Sequence, residues 1–218
     1  MVRYVVAIAV ACASAALPQV QSTVPSSLLS SVGSSPIEFT VLLAEASVPS
    51  GLEIKEPGDS RSRPVPYADA DSGRRIPATQ LAARFNAVHS DYHALVMDGV
   101  FVIRPVGDNA AFLDERSAID PPISITGRMQ AARRIFGMHG AILGSTFSLE
   151  GEDKPIVLDG TGGRKVIDTL NEIVMQSPSA WQVTTRKQGN QWRVVAFGFI
   201  RKDGSSSIQP LRAQDSGR

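Results

Sequence analysis

A chain of 218 residues has room for one large domain or two small ones. Its content, 43% hydrophobic and 20% charged, is that of an ordinary globular protein. A net charge of +1 argues against a dedicated nucleic-acid surface, so no polyanion partner is expected.

Met1-Val2-Arg3 supplies a basic start, Tyr4 to Ala11 an apolar run, and Ala11, Ala13, Ala15 and Ala16 several Ala-x-Ala cleavage options. That is the pattern of a secretory signal peptide over residues 1–16. A buried N-terminal helix is the alternative, disfavoured because Ser/Pro-rich sequence follows where a domain would start. No later run approaches the roughly 20 apolar residues needed to span a bilayer, so no membrane span is expected. The only cysteine, Cys12, falls inside the signal. A mature chain without a disulfide fits a bacterial periplasm better than eukaryotic secretion. The expected location is therefore periplasmic or secreted after cleavage. Ala9-Val10-Ala11-Cys12 offers a second arrangement, a lipoprotein lipidated at Cys12, although the apolar run ahead of it is short and lacks the usual leucine.

Residues 17–36 read as a linker, since Pro18 to Pro36 is rich in serine and proline and carries no charge. A first folded unit is expected over 37–106. Phe39 to Ala46 is a short helix with Leu42, Leu43 and Ala46 on one side. Val48-Pro49-Ser50-Gly51 breaks it, and Leu52-Glu53-Ile54 reads as a strand. Pro57 to Gly73 is a polar surface loop enclosing a strand at Val65 to Ala68. Pro77 to Val88 then sets Leu81, Phe85 and Val88 on a helical stripe. Tyr92 to Met97 is extended, Asp98-Gly99 is a hairpin turn, and Val100 to Arg104 is the return strand.

A polar connector at 107–125 leads to a second unit over 126–203. It opens with a helix at Arg128 to Phe136 and an extended run at Ala141 to Leu149. Pro155 to Asp159 is an apolar, β-branched strand closed by Gly160-Thr161-Gly162-Gly163. Val166, Ile167, Leu170, Ile173 and Val174 recur at spacings of three and four, with Asp168, Asn171, Glu172 and Gln176 between them, which predicts an amphipathic helix. Ser177-Pro178-Ser179 stops it. Trp181, Val183 and Thr185 alternate with polar residues as in a half-buried strand, Gln188-Gly189-Asn190 turns, and Trp192 to Ile200 returns. Residues 204–218 read as a disordered tail. A shift of 89 positions pairs Leu81 with Leu170 and Tyr92 with Trp181, so the two units read as a structural duplication.

The βαββ order of the second unit, carried by Ile156 to Leu158, Val166, Leu170, Ile173, Trp181, Val183, Trp192 and Val194, resembles the short N-terminal domain of secretins and TonB-dependent receptors. The family usually has an Asn or Asp and then a Ser or Thr before the helix, where this chain has Gly163-Arg164-Lys165. The resemblance implies an envelope protein-interaction domain.

No catalytic motif accompanies this plan. His89-Ser90-Asp91-Tyr92-His93 gathers zinc-ligand types, but it crosses from a helix end into a strand and points His89 and His93 in unrelated directions, with only His139 left to complete a shell. Gly160 to Lys165 sits where backbone amides can hold a phosphate, yet it lacks the residues of a Walker loop or a dinucleotide fingerprint. Ser145 and Ser148 lie outside any Gly-x-Ser-x-Gly elbow. The pairs Asp69 with Asp71 and Glu150 with Glu152 read as solvated turns. Trp181 and Trp192 read as shared core of the hairpin rather than a carbohydrate-stacking pair. No catalytic, cofactor-binding or metal residue is therefore assigned, and no cofactor is expected.

The expected fold class is α+β, as two related small units, each a helix packed on a short, mostly antiparallel sheet. The strand from Trp192 to Ile200 is apolar on both faces. Trp192, Val194 and Ala196 are assigned to the helix side with Trp181, which leaves Val195, Phe197 and Phe199 as a candidate protein-interaction face. Either the first unit packs there, through Leu95, Met97 and Phe101, or the face is open to a partner or to self-association. The expected function is that of a non-catalytic interaction module with an envelope protein partner. The alternative is a small periplasmic hydrolase or ligand-binding enzyme with a site built from loops such as Pro57 to Gly73.

Overall fold

The computed structural model describes residues 22–56, 73–107, 111–116, 123–126, 142–143, 155–158, 163–177, 179–188, 191–202 and 209–212. In chain order the elements are β1 (Thr23–Pro25), a 3-10 turn (Ser26–Ser31), α1 (Pro36–Glu45), β2 (Ser50–Glu56), β3 (Arg75–Pro77), α2 (Ala78–Asn86), β4 (Tyr92–Met97) and β5 (Val100–Pro105). There follow α3 (Ala111–Asp114), β6 (Ile123–Thr126), β7 (Ile142–Leu143), β8 (Pro155–Leu158), α4 (Val166–Gln176), β9 (Ala180–Gln188), β10 (Gln191–Ile200) and β11 (Gln209–Arg212). The predicted strand at Val65 to Ala68, the helix at Arg128 to Phe136 and most of the extended run from Ala141 lie outside the described residues.

The fold is α+β. Seven strands form one mixed sheet in the order β4-β5-β2-β9-β10-β11-β7. Only the two pairings of β2, with β5 and with β9, are parallel; the others are antiparallel. The helix-then-hairpin order recurs, as α2-β4-β5 and as α4-β9-β10, with Leu81 and Leu170 both fully buried. The two halves do not keep separate sheets, however. Both hairpins flank β2, while β8 pairs with β6 in a small antiparallel sheet.

Alternation along β5 sorts the molecule into layers. Phe101 and Ile103 face one core with Phe39, Leu42 and Leu43 of α1 and Leu81 and Phe85 of α2. Val100 and Val102 face the other, with Leu170, Ile173 and Val174 of α4, Ile156 and Leu158 of β8 and Leu113 of α3. The period of two in a strand puts successive side chains on opposite sides, so one sheet carries a helical layer on each face. Phe39 anchors the first core, with ring centroids 5.2 Å from Phe85 and 6.0 Å from Phe101.

Local chemistry sets the ends of these elements. Ser35 and Glu38 form a capping box at α1, the Glu38 amide donating to Ser35 Oγ at 3.3 Å and the Ser35 amide to Glu38 Oε2 at 3.1 Å, with Pro36 at the first turn. Ser47 ends it at a left-handed φ of 56°, and the Val48 amide turns back to the Leu43 carbonyl. Asp98 and Gly99, at φ 48° and 87°, make the tight turn between β4 and β5, the backbone that an Asp-Gly pair accepts most readily. At the outer edge of β4, Asn86 acts as a surrogate strand: its Nδ2 donates to the Ala94 carbonyl at 2.9 Å and its Oδ1 accepts from the Ala94 amide at 2.6 Å. Gln176 does the same for β8 at Val157, at 2.7 and 2.9 Å.

Described parts of two segments expected to lack order belong to the fold. From residue 22 onward the expected linker forms β1, paired with β3, and the 3-10 turn. Val24, Leu28 and Val32 are buried in the core of α1 and α2. Their spacing of four, obscured by the surrounding serines, is the apolar signal. In the expected tail, Gln209–Arg212 pairs with both β10 and β7, because backbone pairing makes few demands on side-chain composition.

Candidate functional site

The face assigned to Val195, Phe197 and Phe199 is corrected by the structure. Phe197 and Phe199 are 0% and 1% exposed and pack in the α4 core, in edge-to-face contact at 5.2 Å. The cause is a bulge: Val194 pairs with Thr185 and Ala196 with Thr184, so Val195 is an extra residue and the parity of the strand inverts there. Phe197 then lies across from Val183 and Phe199 across from Trp181, on the same side as Val194. Leu95 and Met97 reach this core from the first half, as one of the two alternatives held, but Phe101 lies on the opposite face. The side chain of Val195 lies outside the described residues.

Trp181 is the centre of this core. Its indole lies across Gly51, the residue beside it on β2, so closely that a Cβ there would overlap Cε2, Cζ2 and Nε1. Its Nε1 donates to Asn171 Oδ1 at 2.9 Å within the core. Because the indole is only a donor, this bond fixes the Asn171 amide with Oδ1 toward the tryptophan. Asn171 is 2% exposed, and its Nδ2 has no hydrogen-bond partner among the described residues. A buried donor left unpaired costs about 1–3 kcal/mol, so a core otherwise well matched carries a local deficit.

At the margin of the same core, charged groups join four elements. Glu53 of β2, fully buried, accepts from Arg104 Nε at 2.8 Å, and Arg104 Nη2 donates to Asp114 Oδ2 at 3.0 Å. Lys165 Nζ reaches Asp114 Oδ1 at 3.0 Å. Partial burial alone would raise the Asp114 carboxyl, but hydrogen bonds from Arg104 and Lys165 outweigh it and hold the group below its ordinary value of 3.8. Burial likewise opposes the charge on Arg104, and the bonds to Asp114 and Glu53 more than offset it, so the guanidinium is held more firmly protonated. Burial raises the Tyr92 phenol. The network fixes α3 over the start of α4; every carboxylate in it is met by a cation, an arrangement suited to structure rather than proton transfer.

His89 and His93 do not converge. His89 stacks on Phe85 at 4.1 Å with Nε2 at 2.8 Å from the Val32 carbonyl, while His93 lies exposed on β4. Among the described residues no three His, Cys, Asp or Glu side chains gather as a metal site would require. Of the glycine loop, Gly163 is at φ 109° and its carbonyl accepts from Arg116 at 2.9 Å. Gly160 to Gly162, His139, Ser145, Ser148, Asp69, Asp71, Glu150, Glu152 and residues 57–72 lie outside the described residues, as does the side chain of Trp192.

What the structure adds is an open cleft of about 450 Å³ between the β4–β5 turn and the outer side of α4, lined by Asp98, Arg164, Asp168, Asn171, Glu172 and Met175. The turn closes over the helix, with the position of a Gly99 Cβ only 3.7 Å from Met175 Cε. Three carboxylates face one guanidinium, and that cation is already engaged, since Arg164 Nη1 donates to Glu172 Oε2 at 3.2 Å. Asp168 accepts from the Lys165 amide at 3.2 Å, which caps α4 and leaves its second oxygen for other uses. Met175 is 48% exposed at the end of the cleft. In the sequence these were a hairpin turn and the polar side of a helix; only the spacing of four between Asp168 and Glu172 and the solitary Met175 beside them hinted at a shared surface.

The fold defines a class, a mixed sheet with helices on both faces. Comparison with protein-family models, curated proteins and solved structures finds no match to this chain.

Proposed function

We propose that the chain is an exported bacterial envelope protein that acts by binding another protein of the envelope. The observation that carries this reading is the packing of β8 with the helix–hairpin unit α4-β9-β10: Ile156, Leu158, Val166, Leu170, Ile173, Trp181 and Val183, seven positions behind the resemblance to the secretin and TonB-dependent receptor domain, lie in one core, although β8 pairs with β6 rather than with the hairpin. The basic-apolar-small order of Met1 to Ala16 supports export, and no described helix is long and apolar enough to cross a membrane. Removal of the signal between Ala13 and Pro18 makes the protein periplasmic or secreted; lipidation at Cys12 would tether it instead. The test is site-specific crosslinking in intact cells followed by mass spectrometry, with N-terminal sequencing of the product. A single recurrent envelope partner and a processed N-terminus are expected; an intact Met1 in the cytoplasmic fraction, or crosslinks only to chaperones, would overturn the reading.

A further inference from the structure

We infer that removal of the signal and seating of the N-terminus are coupled: residues 22–32 strap the first core once the peptide bond ahead of them has been cut, and a strap already in place shields that bond. The inference rests on the export reading above and names what processing does to the fold. Its first ground is how abruptly the strap is fixed. The Ser22 carbonyl accepts from the Ala78 amide at 2.9 Å. That amide is the first of α2, whose N-cap, Pro77, supplies no side-chain acceptor, so the strap itself caps the helix. At the next residue Arg75 donates through Nε to Thr23 Oγ1 at 2.9 Å and through Nη2 to the Thr23 carbonyl. Val24, Leu28 and Val32 then fill the core with Phe39, Leu81 and Phe85, and the Val32 carbonyl lies 2.8 Å from His89 Nε2. A strap held from Ser22 onward cannot lend its leading end to an enzyme without coming undone.

The second ground is reach. A mature chain beginning between Ala13 and Pro18 carries ahead of Ser22 from nine residues, Ala13 to Gln21, down to four, Pro18 to Gln21. Fully extended at about 3.5 Å per residue, these span roughly 32 Å and 14 Å. A signal peptidase binds the residues on both sides of the scissile bond in extended form, and so takes up most of that length. Enzyme and folded body compete for one short segment, and cleavage proceeds from the population whose strap is out. Hydrolysis adds water across the bond, leaving a carboxylate on the signal and a free α-amine on the mature chain. Once released, the strap pairs with β3, Thr23 opposite Pro77 and Pro25 opposite Arg75, and closes the core of α1 and α2. The chain thus completes this core on processing rather than before it.

The test is cleavage of the purified full chain by a signal peptidase in detergent, in a Cys12→Ser background. Thr23→Cys with Pro77→Cys sets two thiols at directly opposed, exposed positions of β1 and β3, so that oxidation locks the strap. The locked chain should be cut about tenfold or more slowly than the same protein reduced with dithiothreitol, because cleavage follows the population of the open strap. Leu28→Ser, which weakens the seat of a fully buried side chain, should be cut faster than the folded parent. Equal rates for the locked and reduced forms, or a Leu28→Ser chain cut no faster than the folded parent, overturn the inference. If the parent is processed in cells while either result holds, this inference alone fails. A parent chain that is never processed in cells sinks the export reading and takes the inference with it.

Discussion

Replacing Gly51 by alanine probes the tightest glycine contact among the described residues. The new Cβ would overlap the Trp181 indole, which is fully buried and bonded to Asn171, so neither backbone nor ring has room to yield freely. Overpacking of this kind costs about 1–3 kcal/mol. Displacing the indole from Asn171 adds about 1 kcal/mol. Against these stands a gain of about 0.5–1 kcal/mol for removing a glycine from a strand interior. The net loss should be about 1–3 kcal/mol, a large share of the roughly 5–15 kcal/mol that holds a domain together. Trp181→Phe should by itself cost about 2–4 kcal/mol in lost packing and the missing N–H. If the contact is the cause, phenylalanine makes room for the methyl group introduced on β2. The double variant should then be more stable than the sum of the single effects by about 1–3 kcal/mol. Urea unfolding followed by far-ultraviolet circular dichroism measures the cycle without relying on the fluorescence of the residue being changed. Additivity within about 0.5 kcal/mol would refute the argument that Gly51 is there for the tryptophan.

Leu81→Ala and Leu170→Ala should each cost about 2–5 kcal/mol by chemical denaturation, since both leucines are fully buried, one on each face of the sheet. Phe197→Ser and Phe199→Ser should each unfold the protein or lower its midpoint steeply; a folded protein of unchanged stability would restore the exposed-face assignment. For Asp114, whose carboxyl is held below 3.8, the ionised form contributes above that value and the contribution is lost as pH falls through the lowered one. With a side chain 39% exposed the effect is modest, about 1 kcal/mol or less, so Asp114→Asn should be slightly less stable at pH 7 and converge with the parent near pH 2 in thermal melts. His93→Ala should leave the melting temperature unchanged with or without added zinc.

Much of the fold was legible because its signals are local. The stripe of Leu170, Ile173 and Val174, the alternation from Trp181 and the Asp98-Gly99 turn each needed only a few neighbouring residues to be read. Two kinds of feature escaped. The first is a break in periodicity within an element: the bulge at Val195 reverses which side Phe197 and Phe199 take, and nothing in Arg193-Val194-Val195-Ala196 marks it. The second is pairing between distant segments. That β2 lies between β5 and β9, and that Val24 and Leu28 complete the core of α2, depends on contacts no window of sequence contains. The cleft belongs to this second kind, because Asp98 and Asp168 come to line it only through the packing of the β4–β5 hairpin on α4.

The position of β2 also bears on how the chain reaches its native state. Its hydroxyl partner Thr185, which donates to the Ile54 carbonyl, lies 131 residues further on. The equilibrium penalty for so long a separation is small, since each doubling of a loop costs only about 0.6 kcal/mol. The kinetic penalty is larger, because contacts between remote strands form late. Until residue 180 has emerged from the ribosome, β2 has one unpaired side, an edge open to other chains. A fragment ending at the connector should therefore aggregate or be degraded rather than stand as half a protein.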